Sequence, residues 1–155
     1  MKHEDFMKEA LLEAGKAFLI GEVPVGAVVV LDGEIIGRGY NRRETDADPT
    51  AHAEIQALRD AGAKQGGWRL AGATLYVTLE PCPMCAGALL QARVERVVYG
   101  ADDPKAGSAG SQLNLLQFPG FNHQVKILGG VLKKECAALL QDFFRTCRNG
   151  QDYVK

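Results

Sequence analysis

The sequence predicts an α/β protein in which a central mixed sheet of about five strands lies between two layers of helices. Two observations support this prediction. Segments with strand character alternate with segments of helical periodicity, and two strands are separated by a tight two-residue turn. The alternation places helices on both sheet faces, and the turn makes at least part of the sheet antiparallel. The expected architecture is therefore a three-layer α/β/α sandwich.

The first half of the chain is expected to form two helices around a hairpin. Apolar residues recur at helical spacing before a valine-rich strand, and Asp32-Gly33 is a typical hairpin turn. Pro49 and Thr50 then introduce a helix that is expected to stop near a glycine. The predicted elements are a helix at 3–20, strands at Val23–Leu31 and Glu34–Tyr40, and a helix through Ile55, Ala57 and Leu58 that stops near Gly62.

The second half is expected to alternate strands and helices. Pro83 suits the first position of a helix, and the last helix has one continuous apolar face. The predicted elements are strands at Ala73–Leu79, Arg96–Gly100 and Gln124–Leu128, and helices at Pro83–Arg93, 111–117 and Leu132–Cys147.

Size and composition predict one domain over residues 1–155. The hydrophobic share of 46% is enough for a core, and no low-complexity tract or linker divides the chain. The formal net charge of −1 gives no general attraction to nucleic acid, so RNA binding would need a local cluster of cations. The cations that are candidates for such a cluster are Arg42, Arg43, Lys105, Lys133, Lys134, Arg145 and Arg148.

We expect a soluble cytoplasmic protein without disulfides. The N-terminal segment carries charge throughout, and the longest apolar run, Ala27–Leu31, is far too short to cross a membrane. In a reducing compartment, the pair Cys82 and Cys85 therefore indicates a metal site or a redox site.

Two short segments carry the chemistry. His52-Ala53-Glu54 lies near the start of a predicted helix, and Pro81-Cys82-Pro83-Met84-Cys85 lies where a strand meets a helix. One histidine and two cysteines supply three ligands of a tetrahedral zinc ion and leave the fourth position open for water, as in catalytic zinc sites. A helix N-terminus favours thiolate over thiol and so assists ligation.

Glu54 is predicted to move protons rather than to bind metal. Its offset of two residues from His52 corresponds to about 200° on a helix, so both side chains cannot point at one ion from the same face. A buried carboxyl group beside the metal is well suited to general acid–base catalysis.

Other interpretations of the same residues stay open at this point. A Cys-x-x-Cys pair alone is more typical of redox or structural zinc sites, and His52 or Glu54 alone would be ordinary helix residues. A structural zinc site needs a fourth ligand, but the remaining His and Cys residues show no ligand-pair spacing. The combination of both segments favours a catalytic site.

Both segments together resemble the signature of the cytidine deaminase superfamily, and the wider sequence resembles its tRNA-specific adenosine deaminases. The resemblance covers about residues 5–148. It rests on the segments Val23–Val28, Asn41-Arg42, Asp48–Ile55, Thr78–Cys82, Arg96–Gly100, Pro119–His123 and Glu135–Phe144.

The resemblance implies a cytidine deaminase-like catalytic domain with one zinc ion per chain, held by His52, Cys82 and Cys85, and with Glu54 as the catalytic residue. It implies conversion of adenosine to inosine at the wobble position of a tRNA anticodon loop by a homodimer. By matching position, Asn41 would bind the base or sugar and Asp103 the RNA backbone. The alternative interpretation, without a role in binding, is that Asn41 forms a turn and Asp103 is a solvated loop residue.

Two other functions are weighed against this one. The first is deamination of guanine or a free nucleoside with the same zinc site, and Pro83, which also occurs in guanine deaminases, does not discriminate. The C-terminal segment favours the tRNA-specific group. The second is a zinc-stabilised binding module without catalysis, against which Glu54 argues, because a structural site needs no such acid.

Overall fold

The chain forms the predicted α/β fold. The computed structural model describes residues 2–148, so Met1 and residues 149–155 of the predicted domain lie outside the described residues. The elements are α1 (His3–Leu19), β1 (Gly26–Leu31), β2 (Glu34–Tyr40), α2 (Ala53–Gln65), β3 (Thr74–Leu79), α3 (Pro83–Gln91), β4 (Arg96–Ala101), β5 (Lys126–Leu128) and α4 (Lys133–Arg148).

The sheet is mixed and has the strand order β2-β1-β3-β4-β5. Strand β1 is antiparallel to both of its neighbours, β2 and β3, whereas β3, β4 and β5 run parallel. The carboxyl ends of β3 and β4 therefore lie side by side, with Leu79 paired to Ala101. Ligand sites in open α/β sheets form at this edge, and the residues that follow both strands carry the site described below.

The sheet separates two apolar clusters. One contains Ala57 of α2 and Leu89 of α3 with the sheet residue Val77, and the other contains Met7 of α1 and Cys136 of α4. Helices thus cover both faces, and the predicted three-layer α/β/α sandwich is confirmed.

The hairpin turn between β1 and β2 is confirmed. Asp32 and Gly33 both adopt left-handed backbone conformations, with φ of 51° and 78°. Two consecutive positive φ values are typical of the type I′ turn, whose twist matches that of a β-hairpin.

Strand β2 lies directly against the backbone of α2. A Cβ atom at Gly39 would lie 2.5 Å from the carbonyl oxygen of Ala53, and one at Gly37 would lie 2.4 Å from that of Ala57. Only glycine permits this approach, which seats the first turn of α2 on the sheet. The same contact fixes the position of the residues at the tip of α2.

The largest errors in the predicted boundaries are at the start of β1 and the end of α2. Strand β1 begins at Gly26 rather than Val23, because Pro24 lacks an N–H and the Val25 N–H donates locally to Val23 at 2.9 Å. Helix α2 begins at Ala53 and continues through Gly62 to Gln65, where Gly66 ends it in a left-handed conformation with φ of 76°.

The predicted helix at 111–117 is also wrong. This segment forms turns, and the bridge between Ala109 and Asn114 is antiparallel. The N–H groups of Ala109 and Ser111 donate to the carboxylate of Glu80 instead of forming helical hydrogen bonds. Tertiary hydrogen bonds therefore override the local pattern.

Within residues 2–148, no helix is both long enough and apolar enough to cross a membrane.

Candidate metal centre and catalytic pocket

The three predicted metal ligands converge at the tips of α2 and α3. His52 and Cys82 each occupy the position just before their helix, with extended backbones (φ −77°, ψ 157° and φ −77°, ψ 173°). Cys85 lies in the first turn of α3, and Pro83 is at its N-terminal position as predicted. Because His52 precedes α2, the helical offset of about 200° between His52 and Glu54 does not apply.

The spacing of the donor atoms fits a zinc ion. His52 Nδ1 lies 3.6 Å from the Sγ atoms of both Cys82 and Cys85, and the three donor atoms all lie within 4.8 Å of one another. With Zn–S of about 2.3 Å and Zn–N of about 2.0–2.1 Å, tetrahedral geometry requires an N–S separation of about 3.6 Å. The donor set and its dimensions therefore suit zinc.

The side chains of Cys82 and Cys85 shift the pKa of each other in opposite directions. A hydrogen bond with Cys85, together with one to His52, lowers the pKa of Cys82 to about 4, against the opposing effect of burial. The hydrogen bond to Cys82 and burial raise the pKa of Cys85 well above its ordinary value. The contact with Cys82 raises the pKa of His52. Zinc binding by both thiolates must therefore release a proton.

Glu54 is buried in the same pocket. Its exposed fraction is 4%, and burial raises its pKa to about 7. A carboxyl group with this pKa can both take and give a proton near neutral pH, which is the property that a general acid–base catalyst needs.

The pocket is a cavity of about 240 Å³, lined by both metal-site and loop residues. Sites for drug-sized ligands are typically about 300–1,000 Å³, so this cavity suits a single small ring system such as one base. Its lining residues are Val23, Val25, Asn41, Arg43, His52, Ala53, Glu54, Leu79, Glu80, Cys82, Asp103 and Ala106.

Asn41 and Asp103 both line the cavity and both also hold loop backbone. The Asn41 Nδ2 donates to the Val23 carbonyl at 3.2 Å, and its Oδ1 accepts the Arg43 N–H at 3.1 Å. Asp103 Oδ1 accepts N–H groups of Lys105 and Ala106 at 3.1 and 3.2 Å. Each side chain therefore forms a turn that fixes its own orientation at the pocket.

The predicted basic residues are exposed or half-buried, and three of them form ion pairs with acids. Arg42, Lys133 and Arg145 form ion pairs with Asp46, Asp102 and Asp142. Of the seven candidates, Arg43 lines the cavity itself.

Two buried carboxylates near the pocket were not identified from the sequence. Glu22 and Glu80 are 1% and 2% exposed and accept hydrogen bonds from the loops around the cavity. Burial alone would raise the pKa of Glu80, but hydrogen bonds from Ser111, Asp103 and Ala109 outweigh burial and lower it. The sequence signal was weak, because a lone glutamate beside a turn is usually solvated.

The fold and the site together define a deaminase. Residues 1–148 match the family described as MafB19-like deaminase. A tRNA-specific adenosine deaminase of Bacillus subtilis (strain 168) is 57% identical over 145 residues, which cover 94% of this chain and 90% of that protein. The chain belongs to the family of tRNA-specific adenosine deaminases, as the sequence resemblance predicts.

Solved structures agree with this assignment. A structure from a study of A-to-I editing by tRNA:A34 deaminases is 47% identical, has a TM-score of 0.84, and matches over 87% of this chain and 98% of that chain. A guanine deaminase from Nitrosomonas europaea is 26% identical, with a TM-score of 0.78 over 90% of this chain and 83% of that chain. The tRNA-acting relative is therefore the more similar of the two.

Proposed function

We propose that this protein hydrolytically deaminates adenosine to inosine at the wobble position of a tRNA anticodon, with one zinc ion per chain. The observation that carries the proposal is the cluster of His52, Cys82 and Cys85 next to buried Glu54, in a cavity that suits one base. The similarity to tRNA-specific adenosine deaminases supports the choice of substrate.

His52, Cys82 and Cys85 hold the zinc ion in this proposal. Zinc in a site with three protein ligands lowers the pKa of water toward neutrality and so supplies a nucleophile. The position of Cys82 and Cys85 at a helix N-terminus stabilises the thiolates that ligation requires.

Glu54 is the proton carrier of the reaction. It takes a proton from the attacking water, delivers it to the purine ring nitrogen, and assists departure of the amino group as ammonia. Overall, one water is consumed at C6, the C–N bond breaks, and a carbonyl replaces the amino group. Burial keeps the carboxyl group of Glu54 away from bulk water during the transfers.

The cavity requires the reacting nucleotide to leave its stack. A volume of about 240 Å³ admits one base and not a base pair. A loop nucleotide is splayed out at lower cost than a duplex nucleotide, since it has no pairing to lose. Asn41 contacts the base or sugar from one loop, and Asp103 contacts the RNA backbone beside it.

The protein acts as a homodimer in this proposal, with an apolar groove as the contact surface. The groove runs along α2 and α3, has a volume of about 810 Å³, and includes Trp68, which is 63% exposed. A second copy that covers it would lie close to the two helices that carry the metal ligands. The remaining lining is Ile55, Leu58, Arg59, Gly62, Ala63, Gly67, Leu70, Ala88, Gln91 and Ala92.

Residues 1–155 form a single catalytic domain that works in the cytoplasm, where its tRNA substrate is found. The continuous family match over residues 1–148 supports one domain.

A substrate panel tests the proposed function against deamination of guanine or a free nucleoside. The zinc-loaded protein is incubated with an anticodon stem-loop that carries adenosine at the wobble position, and with free adenosine, adenine and guanine. We expect inosine from the stem-loop and at most slow turnover of the free compounds. Rapid conversion of guanine to xanthine with an unreacted stem-loop would overturn the proposal in favour of a guanine deaminase.

A further inference from the structure

Three carboxylates besides Glu54 are buried within residues 2–148. Glu13, Glu22 and Glu80 are 2%, 1% and 2% exposed. A buried charge is tolerated only when it is paired or hydrogen-bonded, so the partners of each group reveal its role. Glu13 pairs with Lys16 within α1 and with Arg38 of β2, so the second pair links the helix to the sheet. The hydrogen bonds to Glu22 and Glu80 come instead from loops.

Glu80 accepts several hydrogen bonds from the loop that follows β4. Its Oε1 accepts the Asp103 N–H at 3.0 Å and the Ser111 hydroxyl, and its Oε2 accepts the N–H groups of Ala109 and Ser111, both at 3.0 Å. The loop lies so close that a Cβ at Gly107 would be 2.4 Å from Glu80 Cδ. Four donors on one carboxylate hold the whole segment 103–111 in place.

Glu22 plays the same part for the loop that follows β2. Its Oε1 accepts the Glu44 N–H at 3.2 Å, and its Oε2 accepts the Thr45 N–H at 2.6 Å. This loop begins at Asn41, whose side chain donates to Val23, next to Glu22 in the sequence. The carboxylate therefore ties the loop to the segment between α1 and β1.

The two loops line one cavity. Asn41 and Arg43 come from the loop held by Glu22, and Asp103 and Ala106 come from the loop held by Glu80. Charge-assisted hydrogen bonds are about twice as strong as neutral ones, so each loop is ordered before any substrate arrives. Ordering a site in advance removes part of the entropy cost of binding.

We propose that Glu22 and Glu80 are positioning residues that hold these two loops ready for the RNA strand on either side of the reacting nucleotide. In this role they act through Asn41 and Asp103, and Glu80 itself also lines the cavity. The proposal rests on the proposed function, since it assigns to the loops the recognition of that same substrate.

Amide hydrogen exchange tests the positioning without any activity assay. In the zinc-loaded Glu80→Gln protein, one carboxylate oxygen is replaced by an amide nitrogen that cannot accept a hydrogen bond. The donors to that oxygen lose their acceptor, and the donors to the remaining oxygen lose the negative charge. We expect exchange at Asp103, Ala109 and Ser111 to become roughly tenfold to a hundredfold faster, the range for a lost charged hydrogen bond. Exchange at Glu44 and Thr45 should stay unchanged.

The other buried carboxylates provide the matched controls. Glu22→Gln should accelerate exchange at Glu44 and Thr45 and leave the segment 103–111 unchanged. Glu13→Gln removes an equally buried carboxylate that serves Lys16 and Arg38, and it should change exchange in neither loop.

Steady-state kinetics on the anticodon stem-loop test the consequence. For Glu22→Gln and Glu80→Gln, we expect KM to rise roughly tenfold while kcat changes less than about threefold, because the loss falls on binding. Zinc content should equal that of the unsubstituted protein, and Glu13→Gln should change neither constant. Ser111→Ala removes only one donor to Glu80 and should give a smaller rise in KM. This variant replaces Glu80→Gln in the test if Glu80→Gln does not fold.

The outcomes separate this proposal from the proposed function. Faster loop exchange with unchanged KM would overturn the positioning role and leave only a structural one. Unchanged loop exchange in both variants would overturn it as well. An unsubstituted protein that does not deaminate the stem-loop would instead defeat the proposed function, whatever the exchange data show.

Discussion

At the scale of single residues, the proposed site assigns metal binding and proton transfer to different side chains. His52, Cys82 and Cys85 present donor atoms at zinc-site dimensions, and Glu54 is buried beside them. Catalytic zinc sites typically have three protein ligands and keep the fourth position open, so Glu54 is not required as a ligand. The roles of these residues can therefore be separated by substitution.

Replacing Glu54 should abolish activity without loss of metal. In Glu54→Ala we expect zinc content to stay at one ion per chain while inosine formation falls by at least about 10²–10⁴-fold, the range for general acid–base catalysis. Elemental analysis and a stem-loop assay on the same sample provide both values. A variant that loses zinc and activity together would assign Glu54 to the ligand set instead.

Replacing a ligand should remove the metal and weaken the fold. In Cys82→Ser we expect loss of zinc and a lower thermal midpoint, because the proposed ion would join the tips of α2 and α3. Cys147→Ser is the matched control, since Cys147 is half-buried on α4 outside the cluster, and it should keep both zinc and stability. Equal zinc content in the two variants would contradict the assignment.

At the scale of elements, the site depends on how closely α2 approaches the sheet. Gly37 and Gly39 of β2 permit backbone contact with Ala53 and Ala57 of α2. This packing seats the helix whose first turn carries Glu54 and whose preceding residue is His52. The hairpin turn and the antiparallel pairing of β1 with β2 set the register of these glycines.

A methyl group at Gly39 should therefore disturb both the fold and the site. Gly39→Ala would place a Cβ 2.5 Å from the Ala53 carbonyl oxygen, and we expect it to reduce the free energy of unfolding by at least about 1–3 kcal/mol. In Gly15→Ala, on α1, the added Cβ meets nothing within 4 Å, and we expect a gain of up to about 1 kcal/mol from helix propensity.

Urea denaturation of both variants measures this difference. A Gly39→Ala protein as stable as the unsubstituted chain would show that α2 can move away from the sheet at little cost.

The sequence was sufficient for elements whose pattern is local. The hairpin, the alternation of strands and helices, and the position of Pro83 at the start of α3 follow from turn chemistry and periodicity. The candidate ligands could be singled out because their types and spacing are typical of zinc sites, and the structure brings their donor atoms together.

The features of the fold and site that the sequence did not predict depend on contacts between residues far apart in the chain. The segment 111–117 was expected to be helical, but it donates to Glu80, which lies 31 positions before Ser111. Such a partner leaves no periodic signal in the segment itself. The buried roles of Glu22 and Glu80 were missed for the same reason, since only the fold brings their donors to them.

At the scale of the whole molecule, the proposed homodimer places a second copy on the apolar groove along α2 and α3. Trp68 is the one tryptophan in the chain and lies in this groove, 63% exposed in the single chain. Its fluorescence therefore reports directly on whether the groove is covered.

We expect Trp68 emission to shift to longer wavelength on dilution, as the dimer measured by sedimentation dissociates. Ala88→Glu places a charge in the groove and should give a monomer with exposed Trp68 at all concentrations. Leu12→Glu is the matched control, because Leu12 is 60% exposed on α1 outside the groove, and it should remain dimeric. A dimer with fully exposed Trp68 would place the contact on another face, and a monomer at all concentrations would refute the dimer.

The near-neutral net charge bears on how the protein selects one adenosine within a tRNA. A formal net charge of −1 offers no general attraction to phosphates, so selection must come from the pocket and the two loops beside it. A cavity of about 240 Å³ then selects a nucleotide that can leave its stack at low cost.

Mapping of inosine in an intact tRNA tests this claim most directly. A tRNA transcript with adenosine at the wobble position and at several paired and unpaired positions is treated with the zinc-loaded protein and sequenced for inosine, with Glu54→Ala as the inactive control. We expect inosine at the wobble position alone and none with Glu54→Ala. Inosine at other adenosines with equal frequency, or an unmodified wobble adenosine, would contradict it.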